Sequence, residues 1–171
     1  ISGGLVGSEM CIRDSSDITQ RPLNLSGSRA YDSTRTASGS DLSFTNIVSG
    51  ETLGLTGSGV LDSPAAGSRT IVNTNTLAIS DGSGIATNYT LTNGTLTMTI
   101  VPRSTTVSGT KTYDGTTNVS SSNLTSFSNL AGSDTLSLSG TGTISSADVG
   151  TGKTVNTCLL YTSPSPRDLL K

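Results

Sequence analysis

Apolar residues are sparse along this chain, and where they occur they alternate with Ser, Thr and Asn. Leu23 and Leu25 flank Asn24. Leu42-Ser43-Phe44-Thr45-Asn46-Ile47, Thr52-Leu53-Gly54-Leu55-Thr56 and Thr135-Leu136-Ser137-Leu138-Ser139 keep the same beat. A period of two sends successive side chains to opposite faces of a pleated strand, so each run predicts a strand with one buried face. Thr, Val and Ile dominate these runs and suit a half-buried pleated surface. Val60-Leu61 predicts a short further strand. Arg69 to Ser80, with Ile71, Leu77 and Ile79, predicts one long strand or two short ones. Thr36 to Asp41 and Ser63 to Gly67 read as loops, the second because Pro64 disfavours a central strand. Ser80 to Gly84 reads as a turn. Tyr89 to Thr92, Asn93-Gly94 and Thr95 to Val101 predict a hairpin closed by a type I′ turn, with Leu96, Met98 and Ile100 on one face.

The pattern then starts again. Tyr31-Asp32 and Tyr113-Asp114 lie 82 residues apart, whereas Phe44 and Phe127, and Asn73 and Asn156, lie 83 apart. One inserted residue is therefore expected in the loop after the second Tyr-Asp pair. Apolar positions pair across the copies: Ile47 with Leu130, Leu53 with Leu136, Leu55 with Leu138, Leu61 with Ile144, Val72 with Val155. A period of about 80 residues is too long for a solenoid rung and fits tandem modules. The division is a linker at 16–21, a first module at 22–102 and a second, truncated one at 103–157. The second has no counterpart of the Asn88 to Val101 segment. If that segment supplies core strands, the second module has an open edge and lower stability.

Composition narrows the reading. A length of 171 residues fits one domain or two small ones. The chain is 32% hydrophobic, but only 13% charged, and low hydrophobicity without high charge does not indicate disorder. A net charge of −2 without a basic stripe disfavours a nucleic-acid partner. No apolar run of about 18 residues exists, so no membrane span is expected. Residues 16–157 contain no His, no Cys and one Glu. Acid–base and nucleophilic catalysis draw on such groups, so no enzyme is expected. No cofactor or metal is expected either. The Asp81 turn offers one carboxylate, too few for Ca²⁺, and Gly150 to Thr154 lacks phosphate-loop spacing because position 147 is Ala. Lys111 or Lys153 could crosslink to Asn156, but solvated surface charges are the simpler reading. Tyr113-Asp114-Gly115 could touch a ligand. The simpler reading is a packing tyrosine at a core edge or module junction, followed by an Asp-Gly turn.

The two ends stand apart from this pattern. DNA encoding Cys158 to Asp168, read on its complementary strand in another frame, encodes Leu5 to Asp14. Residues 1–15 and 158–171 are therefore expected to be translated sequencing adapter flanking an internal fragment. Both cysteines, Cys11 and Cys158, lie in these ends, so no disulfide is expected. A strand formed by the tail would be a substitute for a native one and not part of the module.

Three stretches carry a family resemblance. Lys111-Thr112-Tyr113-Asp114-Gly115-Thr116-Thr117 resembles the signature of the YDG-type repeat of bacterial surface proteins. Asp148-Val149-Gly150-Thr151-Gly152-Lys153-Thr154-Val155 is similar to its mid-repeat motif, and Asn88-Tyr89-Thr90-Leu91 with Ile100-Val101-Pro102 to its closing one. The first copy departs in two places: Ser33 stands for Gly115, and Arg69-Thr70 is offset from Lys153. Both departures put the local turn geometry in question. The resemblance implies a secreted or cell-surface setting in an array of modules, as in filamentous-haemagglutinin-like adhesins. It implies structural roles for Tyr31, Asp32, Asn88, Tyr89, Lys111, Tyr113, Asp114, Gly115, Gly150 and Lys153. Neighbouring modules are the expected partners, in a stalk that projects an adhesive tip. The alternative is a module that binds glycan or host protein, although scarce aromatics argue against sugar stacking. The expected fold is all-β, an immunoglobulin-like sandwich first, with a β-grasp-like module or a β-helix rung as alternatives.

Overall fold

The computed structural model describes residues 16–156 and 160–164. Residues 1–15, and with them Cys11, Cys158 and most of the 158–171 tail, lie outside the described residues. The described chain is all-β, with three single-turn 3₁₀ helices and no α-helix. The first module holds β1 (Arg21–Pro22), β2 (Leu25–Ala30), β3 (Thr36–Ser38), β4 (Leu42–Phe44), β5 (Leu53–Thr56), β6 (Ser58–Leu61), β7 (Gly67–Asn73), β8 (Ala78–Asp81), β9 (Tyr89–Thr90) and β10 (Thr97–Val101).

Six of these strands form one sheet in the order β3-β6-β7-β10-β2-β4, while β1 pairs β9 and β5 pairs β8. The two edges of the six-stranded sheet, β3 and β4, are separated in sequence only by the 3₁₀ helix Gly39–Asp41. Three residues span about 10 Å at most, so the sheet must curl until its edges nearly meet. The curled sheet wraps one core of Leu25, Ala37, Leu42, Leu61, Ile71, Leu96, Met98 and Ile100. Every strand of the sheet contributes to it. The core therefore lies inside a single, partly barrel-like sheet rather than between two opposed ones.

Strand β10 is central. It runs parallel to β2, with Thr99 opposite Ser28 and Val101 opposite Ala30, and antiparallel to β7. Its alternation buries Met98 and Ile100 and exposes Thr99, as the sequence pattern predicted. The expected hairpin does not form. Strand β9 pairs in parallel with β1 instead of folding back on β10. A type I′ turn needs positive φ at both central residues. Asn93 has φ +62°, but Gly94 is not among the positive-φ glycines. Gly94 is needed for another reason: a Cβ there would stand 1.8 Å from the Leu23 carbonyl oxygen. The turn is a kink that lets residues 89–101 run alongside residues 21–31. Leu23 N donates to Thr90 O at 2.8 Å, Leu25 N to Thr95 O at 2.9 Å, and Tyr31 N to Val101 O at 2.9 Å.

Three further expectations are corrected. Thr36 to Asp41 is a strand and a 3₁₀ turn, not a loop, and Ala37 within it is fully buried. One small apolar residue among Ser, Thr and Gly gives no alternation to read, yet it suits the tight seam where the sheet closes. Val72 is 60% exposed, and Ile71 is the inward residue. A β-bulge explains this: Val60 opposes Asn73 and Leu61 opposes Ile71, leaving Val72 as the extra residue. The inserted residue of the second copy is also elsewhere than expected. Thr36–Ser38 and Gly39–Asp41 match Asn118–Ser120 and Ser121–Asn123 at a constant offset of 82. The backbone N–H groups of Leu42 and Leu124 close the two 3₁₀ turns in the same way. The insertion therefore falls between Leu124 and Phe127. There the second copy starts its strand two residues after the cap, where the first copy starts at once.

The second module holds β11 (Thr106–Ser108), β12 (Asn118–Ser120), β13 (Ser126–Ser128), β14 (Leu136–Ile144), β15 (Val155–Asn156) and β16 (Leu160–Pro164). Val107 opposes Phe127 as Leu25 opposes Phe44. The order β12-β14-β15 repeats β3-β6-β7. Strand β14 is continuous where β5 and β6 are separated by Gly57. Here Ile144 opposes Val155 without a bulge, so Val155 takes the place of Ile71, not of Val72. Strand β16, from the tail, pairs with β14 in the register of β8 with β5: Leu136 opposes Pro164 as Leu53 opposes Asp81. Among the described residues no strand lies between β15 and β11, where β10 lies between β7 and β2.

Candidate functional site

The two Tyr-Asp stretches form the same loop. Asp114 Oδ1 accepts from the backbone N–H and the hydroxyl of Thr116, each at 2.9 Å. Lys111 Nζ lies 2.7 Å from Asp114 Oδ1 and donates to Thr116 O at 2.8 Å. In the first copy, Asp32 Oδ1 accepts from Thr34 N at 2.9 Å and from its hydroxyl at 2.8 Å. Arg29 pairs with Asp32 and donates to Thr34 O. An Asp side chain that bonds the backbone two residues on closes an Asx turn, and the cation three residues before it completes a clamp. The residue between Asp and Thr has positive φ in both copies, +74° at Gly115 and +65° at Ser33. The replacement of glycine thus leaves the turn geometry intact and moves its cost into backbone strain.

The electrostatics follow the geometry. The Lys111 ammonium, then the Thr116 amide and hydroxyl, hold the Asp114 carboxyl down to about 2, against an ordinary value of 3.8. At Asp32, burial pushes the carboxyl up, but the Thr34 amide and hydroxyl and the Arg29 guanidinium together bring it below the ordinary value.

The tyrosines differ. Tyr31 packs against the edge of the core. Its carbonyl accepts from Arg103 at 3.5 Å, and Arg103 also donates to Asn129 Oδ1 at 2.7 Å. The Tyr31 loop thus sits at the join of the two modules, with Arg103 touching both. That is the kind of packing expected of Tyr113. Tyr113 itself is 65% exposed, so the expectation does not hold there. Tyr31 N is held by Val101 of β10, and the second module has no described counterpart of that strand.

The mid-repeat residues close a second loop. Lys153 Nζ donates to Ser146 O at 3.2 Å, and Arg69 donates to Ala65 O at 2.7 Å and Ala66 O at 2.6 Å. With Val155 in the place of Ile71, Lys153 takes the place of Arg69, so the offset seen in the sequence disappears in the strand register. Ser63 and Ser146 hold equivalent amides, those of Ala65 and Asp148. Gly150 lies against the Lys153 side chain. Asn88 is exposed in a 3₁₀ turn. Tyr89 is buried, and its hydroxyl donates to Glu51, which raises its pKa above the ordinary value. Asp81 Oδ1 accepts from Ala86 N at 2.7 Å.

The structure gathers the signature residues into separate loop clamps; those of the second module, Lys111, Tyr113, Asp114, Gly150 and Lys153, line one cleft. Among the described residues no group of three His, Cys, Asp or Glu side chains is placed to hold a metal ion, and no helix is long and apolar enough to cross a membrane. The tie from Arg103 to Asn129 and Tyr31 went unread in the sequence, since no local pattern links residues 26 and 72 positions apart. Residues 18–98 and residues 95–163 each match the family model of the YDG domain. No curated protein and no solved structure matches the chain significantly.

Proposed function

Since the chain belongs to the YDG domain family, we propose that it is a structural repeat segment of a secreted bacterial surface adhesin, a spacer that carries other parts of the protein outward. The observation that supports this reading is the closure of both signature loops. Asp32, Asp114, Arg29, Lys111, Arg69 and Lys153 each bond to their own loop. Charged groups engaged in this way stiffen a turn and leave little to offer a ligand. The tie from Arg103 to Tyr31 and Asn129 supports serial stacking of modules. The full chain is expected to show no saturable binding on glycan arrays or to immobilised host matrix proteins, and to be accessible to surface labelling on intact producing cells. A saturable ligand would instead favour the binding-module reading. We also infer that residues 1–15 and 158–171 derive from adapter DNA, because one inverted DNA sequence can encode both Cys158 to Asp168 and Leu5 to Asp14. Resequencing the source locus tests this: a gene that reads through these codons would refute it.

A further inference from the structure

The second module contains a cleft of about 880 Å³. Its apolar lining includes Val107, Val119, Leu124 and Ile144. These are the counterparts of Leu25, Ala37, Leu42 and Leu61, the core residues over which Met98 and Ile100 close in the first module. Its walls include residues 110–112 on one side and residues 151–154 on the other. Their counterparts are Ser28 to Ala30 and Gly67 to Thr70, the two backbone segments that pair with β10. The cleft is the slot of a strand, bounded by two backbone edges and floored by core side chains.

We propose that this cleft is a strand-accepting site, and that its occupant is an extended peptide segment with the pattern of Thr95 to Val101. The first module specifies the occupant. Apolar side chains of the size of Met98 and Ile100 must face inward at alternate positions, with Thr-like residues between them. The strand must run parallel to residues 110–112 and antiparallel to residues 151–154. The side chain of Lys111 is engaged with Asp114 and Thr116, so its backbone is left for pairing, as with Arg29 beside Ile100. Thr151 and Lys153 stand opposite the places of Ile100 and Met98, as Gly67 and Arg69 do in the first module. The most recognisable stretches of the repeat, 111–113 and 151–154, thus frame a place for its last strand. They are docking edges for a partner segment as well as turns.

The test titrates the full chain with a labelled synthetic peptide of the sequence Thr95 to Pro102. A second peptide carries Met98→Asp and Ile100→Asp. Saturable binding of the first peptide alone is expected, with amide exchange at residues 110–112 and 151–153 slowed about tenfold or more and the first module unchanged. No binding, equal binding by the Asp-containing peptide, or binding without protection at those amides overturns the proposal. A chain that is already dimeric, with the same amides protected before peptide is added, also overturns it, since a second copy is then the occupant.

Discussion

Lys111 Nζ and Asp114 Oδ1 stand 2.7 Å apart at the entry of the second module, and Arg29 and Asp32 meet at the same place in the first. Each cation lies three residues before its carboxylate, and each carboxylate is also held by the threonine two residues after it. The Asp carboxylate is the hub of the turn, and its charge state decides whether the turn is closed.

The Asp114 carboxyl is expected to titrate at about 2, below its ordinary value of 3.8. A lowered folded-state pKa means that folding favours the ionised form. The stabilisation is fully present above the ordinary value and is lost as pH falls from there through about 2. A carboxyl-carbon NMR titration of the folded chain checks this, and a midpoint at the ordinary value would contradict the clamp.

Ser33 occupies a left-handed backbone position that Gly115 fills in the other copy. Ser33→Gly is expected to stabilise the first module by about 1 kcal/mol, and Gly115→Ser to destabilise the second by about the same amount. Urea titration followed through amide signals of each module measures both. Equal effects of the same sign would refute the argument.

In the first module, Met98→Ala removes a fully buried side chain from the centre of the core and should cost about 2–5 kcal/mol. Gly94→Ala forces a methyl group onto the Leu23 carbonyl and should cost about 1–3 kcal/mol. Val101→Ala, at a position 48% exposed, should cost clearly less than either. A Gly94→Ala chain of unchanged stability would restore the simple hairpin.

Residues 103–156 should exchange their amides faster than residues 22–102. The buried apolar residues of the second module are Val119, Leu124 and Ala131, and the central strand is missing among those described. Hydrogen exchange of the full chain compares the halves directly, and equal protection would contradict the incomplete core.

The alternation of apolar and polar residues made most strands legible, because burial of one face leaves a period of two in the sequence. It located Leu25, Leu42, Leu61, Met98 and Ile100, all of them buried. It missed Ala37, whose burial comes from sheet closure and not from hydrophobicity. It misplaced Val72, since a bulge shifts facing by one residue without leaving a local mark. The Asn93-Gly94 pair looked like a hairpin turn because its two properties, tolerance of positive φ and absence of a Cβ, are those a hairpin needs. Here they serve a kink and a close backbone crossing. Strand order was not legible at all, since parallel pairing of β2 with β10 depends on residues about 70 positions apart. The loop clamps were legible as turns from Asp-Gly chemistry. Their cations became recognisable only once the two copies had been superposed.

The parallel pairing of β2 and β10 has a mechanical consequence. The chain enters the first module through β1 and the start of β2 and leaves it at the end of β10. Tension along the polypeptide therefore pulls these neighbours in opposite directions along their length. The bonds joining residues 28–30 to residues 99–101 are loaded in shear, all at once, instead of being unzipped one by one. Among the described residues the second module has no such pair. In single-molecule stretching of the full chain, the first module should rupture at a markedly higher force than the second. A segment that resists tension in this way is suited to hold a load as well as a distance.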